Sequence, residues 1–346
     1  MRKALIFADR FFTPAVFEWA TSQVPFFEGV EKVYYDLGWP EVSFSHGERL
    51  REYIPYPPEA LREVAEAEIL VTQMGLVDEA LLGAAPRLRV VGCLRSGPVN
   101  IDREALRKRN IPLFFVPERS VEAVAEFTLG LFILARRRIL EASQEMASGL
   151  WTQSRYFCYE HAAPPLRNTV VGLLGFGKIA RRLTQLLRAI GVERILATDP
   201  FVPDEAMREY GVEKVALEEL LRNADIVSLH VRYDGENGKL LGVREFSLMK
   251  PGSIFVNTSR GELVDEAALL EALRRGAPRI ACIDTLCEEP CRGKHPLAEC
   301  AQVILTPHIA GACRSTVEQG ALEVARAIAE YLGKDTKGGR ECSFSV

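Results

Sequence analysis

The stretch Leu173-Leu174-Gly175-Phe176-Gly177-Lys178-Ile179-Ala180 limits the fold more than any other. Residues 170–174 form an apolar, β-prone run of the kind a buried parallel strand requires. Gly175 and Gly177 follow at once. Ile179, Leu183, Leu186, Leu187 and Ile190 then recur at helical spacing until Gly191 stops the helix. The next β-prone run, 194–198, ends at Asp199, 24 residues beyond Gly175. Strand, glycine turn, helix and acid in this order make a dinucleotide-binding fingerprint. Gly175 makes the turn. Gly177 lets the backbone approach a pyrophosphate, which the helix N-terminus stabilises, so Gly175, Phe176, Gly177, Lys178 and Ile179 are candidate cofactor contacts. Ala180, where a third glycine often stands, is small enough for helix-strand packing. A carboxylate at Asp199 accepts hydrogen bonds from the ribose hydroxyls of NAD and repels the 2′-phosphate of NADP, which makes NAD the expected cofactor. Asp199 also suits a turn before Pro200 and Pro203.

The alternation of strand and helix runs through the whole chain. Residues 4–8, 31–35, 69–72, 88–92 and 111–116 read as strands of a small α/β domain. A long helix is expected over 120–140, apolar on more than one face and so buried between domains or subunits. Residues 149–165 read as irregular and aromatic-rich, either a packed loop or a subunit-wrapping arm. Further strands are expected at 225–229, 253–257, 279–283 and 303–306, with a final amphipathic helix over 316–332 and a polar tail from 333. Six strands thus end in Gly175, Asp199, His230, Thr258-Ser259-Arg260, Asp284 and His308. Singly each is a plausible cap or turn residue. Together they sit where ligands bind open parallel sheets, outside the carboxyl ends of the strands. His230, Val231, Thr258, Ser259, Arg260, Asp284, His308 and Gly311 join the candidate cofactor contacts on that ground.

Three of the polar residues carry chemistry. A fixed guanidinium at Arg260 can hold a carboxylate through two parallel hydrogen bonds. His308 suits proton exchange near neutral pH, and a carboxylate such as Glu289 would orient its ring. A hydride leaving a C–OH group needs the hydroxyl proton removed by a base, and the reverse needs an acid. Sequence distance alone does not show that Glu289 and His308 touch.

Residues 249–269, Met249-Lys250-Pro251-Gly252 through Asn257-Thr258-Ser259-Arg260-Gly261 to Leu269, are similar to the long signature of the D-isomer-specific 2-hydroxyacid dehydrogenase family. So are Val124-Ala125-Glu126-Phe127-Thr128-Leu129, Glu289-Pro290 and Leu305-Thr306-Pro307-His308-Ile309-Ala310-Gly311. The resemblance implies that Arg260 binds the substrate carboxylate and carbonyl, that His308 is the acid/base with Glu289 as partner, and that Asp284 lies near the nicotinamide amide. It implies an α/β fold of two Rossmann-like or flavodoxin-like domains with doubly wound parallel sheets. It further implies that the NAD-binding domain, 119–308, is inserted into a substrate domain made of 1–118 and 309–346, and that the nucleotide domains form a homodimer. The implied substrate is a small 2-hydroxy or 2-keto acid. The family's substrate loop reads R-x-G-x-G-x-D-N-I-D, and here it is Cys93-Leu94-Arg95-Ser96-Gly97-Pro98-Val99-Asn100-Ile101-Asp102. Arg95, Ser96 and Gly97 are the candidate substrate contacts in it. Arg95 either serves a second anionic group on the substrate, or else points to solvent or pairs with a nearby acid. The family's H-x-P-L-T is His230-Val231-Arg232-Tyr233-Asp234 here. An NAD(H)-sensing protein like the family's transcriptional corepressor relatives is the alternative function, and formate or phosphite dehydrogenase a further one.

Composition removes other classes. A formal charge of −4 with no long basic run argues against nucleic acid. The longest apolar stretch, 127–135, is too short to span a membrane, and the N-terminus shows no signal-peptide cleavage site, so a cytoplasmic protein is expected. Five of eight cysteines fall between 282 and 313, without the C-x-x-C spacing of zinc sites, so no metal is expected. They read as reduced thiols, with a disulfide among Cys287, Cys291 and Cys300 as the lesser option.

Overall fold

A computed structural model of the chain describes residues 1–39, 50–151, 162–235 and 237–334. The chain divides into two compact units, Met1–Ser120 with Ala312–Val346, and Val121–Gly311.

The first unit holds five parallel strands: β1 (Arg2–Ala8), β2 (Val30–Asp36), β3 (Ile69–Thr72), β4 (Val90–Cys93) and β5 (Leu113–Phe115). They pair in the order β2-β1-β3-β4-β5. The interior strands are apolar without alternation because helices cover both faces of the sheet. Ile6, Val71 and Val90 pack with the helices Pro14–Thr21 and Arg314–Lys334 through Phe17, Ala321, Val324 and Ile328. Leu5, Leu70 and Val91 pack on the other face with Val64, Leu81 and Leu106.

The second unit holds seven parallel strands: β6 (Val170–Leu174), β7 (Arg194–Thr198), β8 (Glu213–Lys214), β9 (Ile226–Leu229), β10 (Ile254–Asn257), β11 (Ile280–Ile283) and β12 (Val303–Leu305). Their order is β12-β11-β10-β9-β6-β7-β8, so the direction of winding reverses between β6 and β9. Both sheets are thus parallel and doubly wound, as the sequence predicts. The two-residue edge strand β8 and the short helices Asp204–Arg208 and Val243–Leu248 carry too little periodicity to be read beforehand.

One expected element is corrected. The single helix over 120–140 is two, Val121–Arg136 and Ile139–Ala147. Arg138 turns into the left-handed region at φ 54°, and its Nε donates to Glu141 Oε2 at 2.8 Å. The first of these helices buries Ala125, Leu131, Phe132 and Ala135 against Val171, Leu183 and Leu187. The second buries no side chain within the unit and leaves Ile139, Leu140 and Met146 exposed. Most of the aromatic stretch at 149–165, including Tyr156, Phe157 and Tyr159, lies outside the described residues, as does the tail beyond 334.

Candidate active site

The second unit gathers polar residues along the carboxyl edge of its sheet. Gly175 adopts φ +87°, and a Cβ there would stand 2.8 Å from the His230 carbonyl oxygen, so the turn after β6 admits only glycine. A Cβ on Gly177 would meet nothing within 4 Å. The helix Lys178–Ala189 starts directly behind Gly177 with no side-chain cap. Open backbone in front of an uncapped helix N-terminus fits a pyrophosphate. Asp199 holds this turn: its Oδ2 accepts from Phe176 N and its Oδ1 from Phe201 N, both at 2.8 Å. Its turn-forming role is therefore visible, and the remaining lone pairs of both oxygens are available to ribose hydroxyls.

His230 closes β9 and donates its backbone N–H to Leu174 O at 2.7 Å. Its ring nitrogen Nε2 is buried and unpartnered, and burial pushes its pKa down to about 4, so the ring is neutral at physiological pH. An unpartnered buried nitrogen on the residue whose carbonyl abuts the glycine turn is a second feature that fits a bound dinucleotide. Val231 packs its side chain against Gly175. Thr258 Oγ1 lies 3.1 Å from Thr128 Oγ1, and Ser259 Oγ donates to Leu229 O at 2.7 Å.

The three chemical residues all belong to the second unit, and Arg260 Nη1 donates to Ser259 O at 2.8 Å. Asn257 Nδ2 donates to Arg260 O at 3.0 Å and Asn257 Oδ1 accepts from Ser259 N at 2.9 Å, which fixes the bend carrying Arg260. Gly261 follows. A Cβ on it would stand 2.0 Å from Leu286 C and 2.3 Å from Cys287 N, so the Arg260 bend and the loop carrying Glu289 meet backbone to backbone. Glu289 Oε1 accepts from Leu286 N at 2.8 Å, and Oε2 lies 2.6 Å from His308 Nδ1. His308 adopts φ 52°, held by its backbone N–H on Asp284 O at 2.8 Å and Thr306 O at 3.0 Å. Its side chain keeps 38% exposure, so Nε2 can reach a ligand while Nδ1 is engaged.

Asp284 is buried. Its Oδ1 accepts from Thr306 Oγ1 at 2.6 Å and Ile309 N at 2.9 Å, and its Oδ2 from Ala310 N at 2.9 Å. Its visible work is to tie down residues 306–310, a role that a strand-end acid does not reveal from sequence alone.

In the first unit, Arg95 pairs with a nearby acid. Its guanidinium pairs with the Glu52 carboxylate, and Nη1 donates to Glu52 O at 2.9 Å. Ser96 Oγ lies 3.4 Å from Ser120 Oγ. The backbone N–H groups of Ser96 and Gly97 find no acceptor among the described residues. Cys93, Cys282, Cys287, Cys291, Cys300 and Cys313 are free thiols, so the disulfide left open at 287–300 is not formed. Cys158 and Cys342 lie outside the described residues.

The family model of the D-isomer specific 2-hydroxyacid dehydrogenase NAD binding domain matches residues 129–310. The chain is 38% identical over 269 residues to a glyoxylate reductase of Aeropyrum pernix, across 77% of this chain and 80% of that protein. It is 34% identical over 282 residues to a D-3-phosphoglycerate dehydrogenase of Methanocaldococcus jannaschii, across 81% of this chain. The chain spans about half the length of that second relative, 52%. Among solved structures, the TT0316 protein of Thermus thermophilus superposes with a TM-score of 0.78 at 27% identity, over 96% of this chain and 97% of that one. No helix among the described residues is long and apolar enough to cross a membrane. The chain belongs to the D-isomer-specific 2-hydroxyacid dehydrogenase family, with an NAD-binding domain over residues 129–310.

Proposed function

We propose that the protein interconverts a small D-2-hydroxy acid and its 2-keto acid with NAD as hydride carrier. The observation that carries this reading is the 2.6 Å contact between Glu289 Oε2 and His308 Nδ1 in an NAD-binding fold, on a loop whose backbone abuts the bend that carries Arg260. NAD, when bound, accepts or supplies the hydride. Glu289 holds His308 Nδ1, which leaves Nε2 to take the hydroxyl proton during oxidation or to return it during reduction. Arg260 anchors the substrate carboxylate and orients the carbonyl. In the first unit, the Ser96 and Gly97 N–H groups are a further pair of donors suited to a carboxylate. Gly175, Phe176, Gly177, Lys178 and Ile179 receive the pyrophosphate and Asp199 the ribose. His230, Val231, Thr258, Ser259, Asp284 and Gly311 line the remaining cofactor path.

The same reading makes 119–308 the nucleotide domain and 1–118 with 309–346 the substrate domain. Exposed Ile139, Leu140 and Met146 on the nucleotide unit support a homodimer built through those units. Six free thiols among the described residues support a reducing, cytoplasmic setting. The test is NADH oxidation with a panel of 2-keto acids, glyoxylate and pyruvate included. Turnover of at least one is expected. Tight NADH binding without turnover of any of them contradicts the reading.

A further inference from the structure

The loop that carries Glu289 is gripped at both ends by one side chain from outside it. Glu266 is the first residue of the helix Glu266–Arg274, whose Leu269, Ala272 and Leu273 are buried with Phe255, Ala281 and Ile283 of the second unit's sheet. Asp265 caps that helix, its Oδ1 accepting from Ala268 N at 3.0 Å, so capping is not the work of the Glu266 carboxylate. Glu266 Oε1 instead accepts from Cys287 N at 3.0 Å, where the loop begins. Its Oε2 lies 3.3 Å from His295 Nε2, where the loop ends.

The His295 ring is itself fixed. Its Nδ1 accepts from Leu297 N at 3.2 Å, and Leu297 is fully buried. A ring nitrogen that accepts carries no proton, so in the neutral imidazole the proton stands on Nε2 and is donated to Glu266. The side chains of His295 and Glu266 keep 14% and 22% exposure, which limits competition from water.

The restraint that Glu289 has within its own loop, Oε1 on Leu286 N at 2.8 Å, spans three residues. Such a local bond sets the shape of the loop and not its place on the sheet. Glu288, Arg292, Gly293 and Lys294 are exposed, so the middle of the loop runs along the surface. At the near end, Gly261 stands against the Leu286–Cys287 backbone. That steric contact limits approach, and the Glu266 hydrogen bonds limit departure. We propose that Glu266, with His295 as its partner, is a positioning residue for the proton-transfer pair: by clasping Cys287 and His295 it keeps Glu289 within hydrogen-bond reach of His308. Both act through Glu289 and not on the reacting atoms. The proposal rests on the dehydrogenase reading above and deepens it.

The test uses two variants of the full chain. Glu266→Ala opens both ends of the loop. His295→Asn keeps an acceptor suited to cap Leu297 N and removes the reach to Glu266. Each is expected to lower kcat on the best 2-keto acid by about tenfold or more, with the NADH dissociation constant within about threefold of wild type. The decisive comparison is non-additivity: added to Glu289→Gln, Glu266→Ala should cost less than about threefold further, because its effect passes through the group already removed. The nitrogen-15 ring signals of His308 in alkaline buffer, assigned against His308→Ala, read the pair without turnover. With Glu289 in place one tautomer dominates and the two ring nitrogens are well separated; in the clasp variants they should draw together. An unchanged kcat in both variants, a loss as large in the Glu289→Gln background as in the wild type, or unaltered His308 signals overturns the proposal. Should Glu266→Ala fail to fold, His295→Asn decides by the same measurements. If the wild type reduces none of the 2-keto acids, the dehydrogenase reading fails alone and the ring signals decide the clasp.

Discussion

Glu289 Oε2 stands 2.6 Å from His308 Nδ1, and each partner is fixed by a different anchor. Glu289 is tied through Oε1 to Leu286 N, while His308 is tied through its backbone to Asp284 O. The contact thus results from two loops held separately, after β11 and β12. Glu289→Gln keeps the shape and removes the charge. It should lower kcat by about 10²-fold or more while NADH affinity stays near that of the wild type, because the carboxylate sets the ring's tautomer and orientation. An unchanged kcat would show that Glu289 serves packing only.

Gly261 is the hinge of that arrangement in a steric sense. With a Cβ 2.0 Å from Leu286 C, Gly261→Ala must push the Glu289 loop away from the Arg260 bend. The atoms it would meet are backbone and cannot rotate aside. We expect a stability loss of about 3 kcal/mol, at the upper end for overpacking, together with reduced kcat. Urea unfolding and steady-state rates measure the two. A variant with wild-type stability would mean that the two loops are not in backbone contact.

His230 gives the protein a pH-dependent stability of known sign. Its folded pKa, pushed down to about 4, lies below the ordinary 6.5, so the unfolded chain binds the extra proton between those values. The stabilisation from neutral His230 is complete above about pH 6.5 and is lost as pH falls towards 4. The loss amounts to roughly 3 kcal/mol. Unfolding midpoints of wild type and His230→Gln, followed from pH 7.5 to 4, should converge or cross as the medium becomes acid. Parallel curves would show that the buried ring does not titrate in this range.

Much of this was legible in the chain because parallel α/β units announce themselves locally. An apolar run such as Val170–Leu174, then Gly175, then a helical period needs no distant partner to be recognised. The carboxyl edge follows, since every such strand ends where the pattern changes. What the sequence withheld depends on long-range contact. Arg95 and Glu52 are 43 residues apart, and nothing in either neighbourhood announces their pairing. Glu289 and His308, 19 apart, were joined by resemblance and not by spacing. The left-handed turn at Arg138 interrupts an apolar pattern that continues across it, which is why two helices read as one. The pairing of Glu266 with Cys287 and His295 was invisible because the partners of a polar group are a property of its folded surroundings.

Asp199 closes the turn through both of its oxygens and carries the charge proposed to select the cofactor. Asp199→Asn removes that charge and keeps one of the two turn acceptors, so urea unfolding is followed beside the cofactor kinetics. The ratio of kcat/KM for NADPH over NADH should rise by about tenfold, since the like charge opposing a 2′-phosphate is gone. If the wild type already uses both cofactors equally, the carboxylate does not select between them.

In the proposed reaction His308 moves the proton that accompanies hydride transfer, and every other role depends on that one. The most direct measurement is kcat for His308→Ala on the best 2-keto acid, with NADH affinity determined in parallel by fluorescence. A fall in kcat of roughly 10²–10⁴-fold, with the NADH dissociation constant within about threefold of wild type, is the predicted result. Wild-type-like turnover in that variant would contradict it.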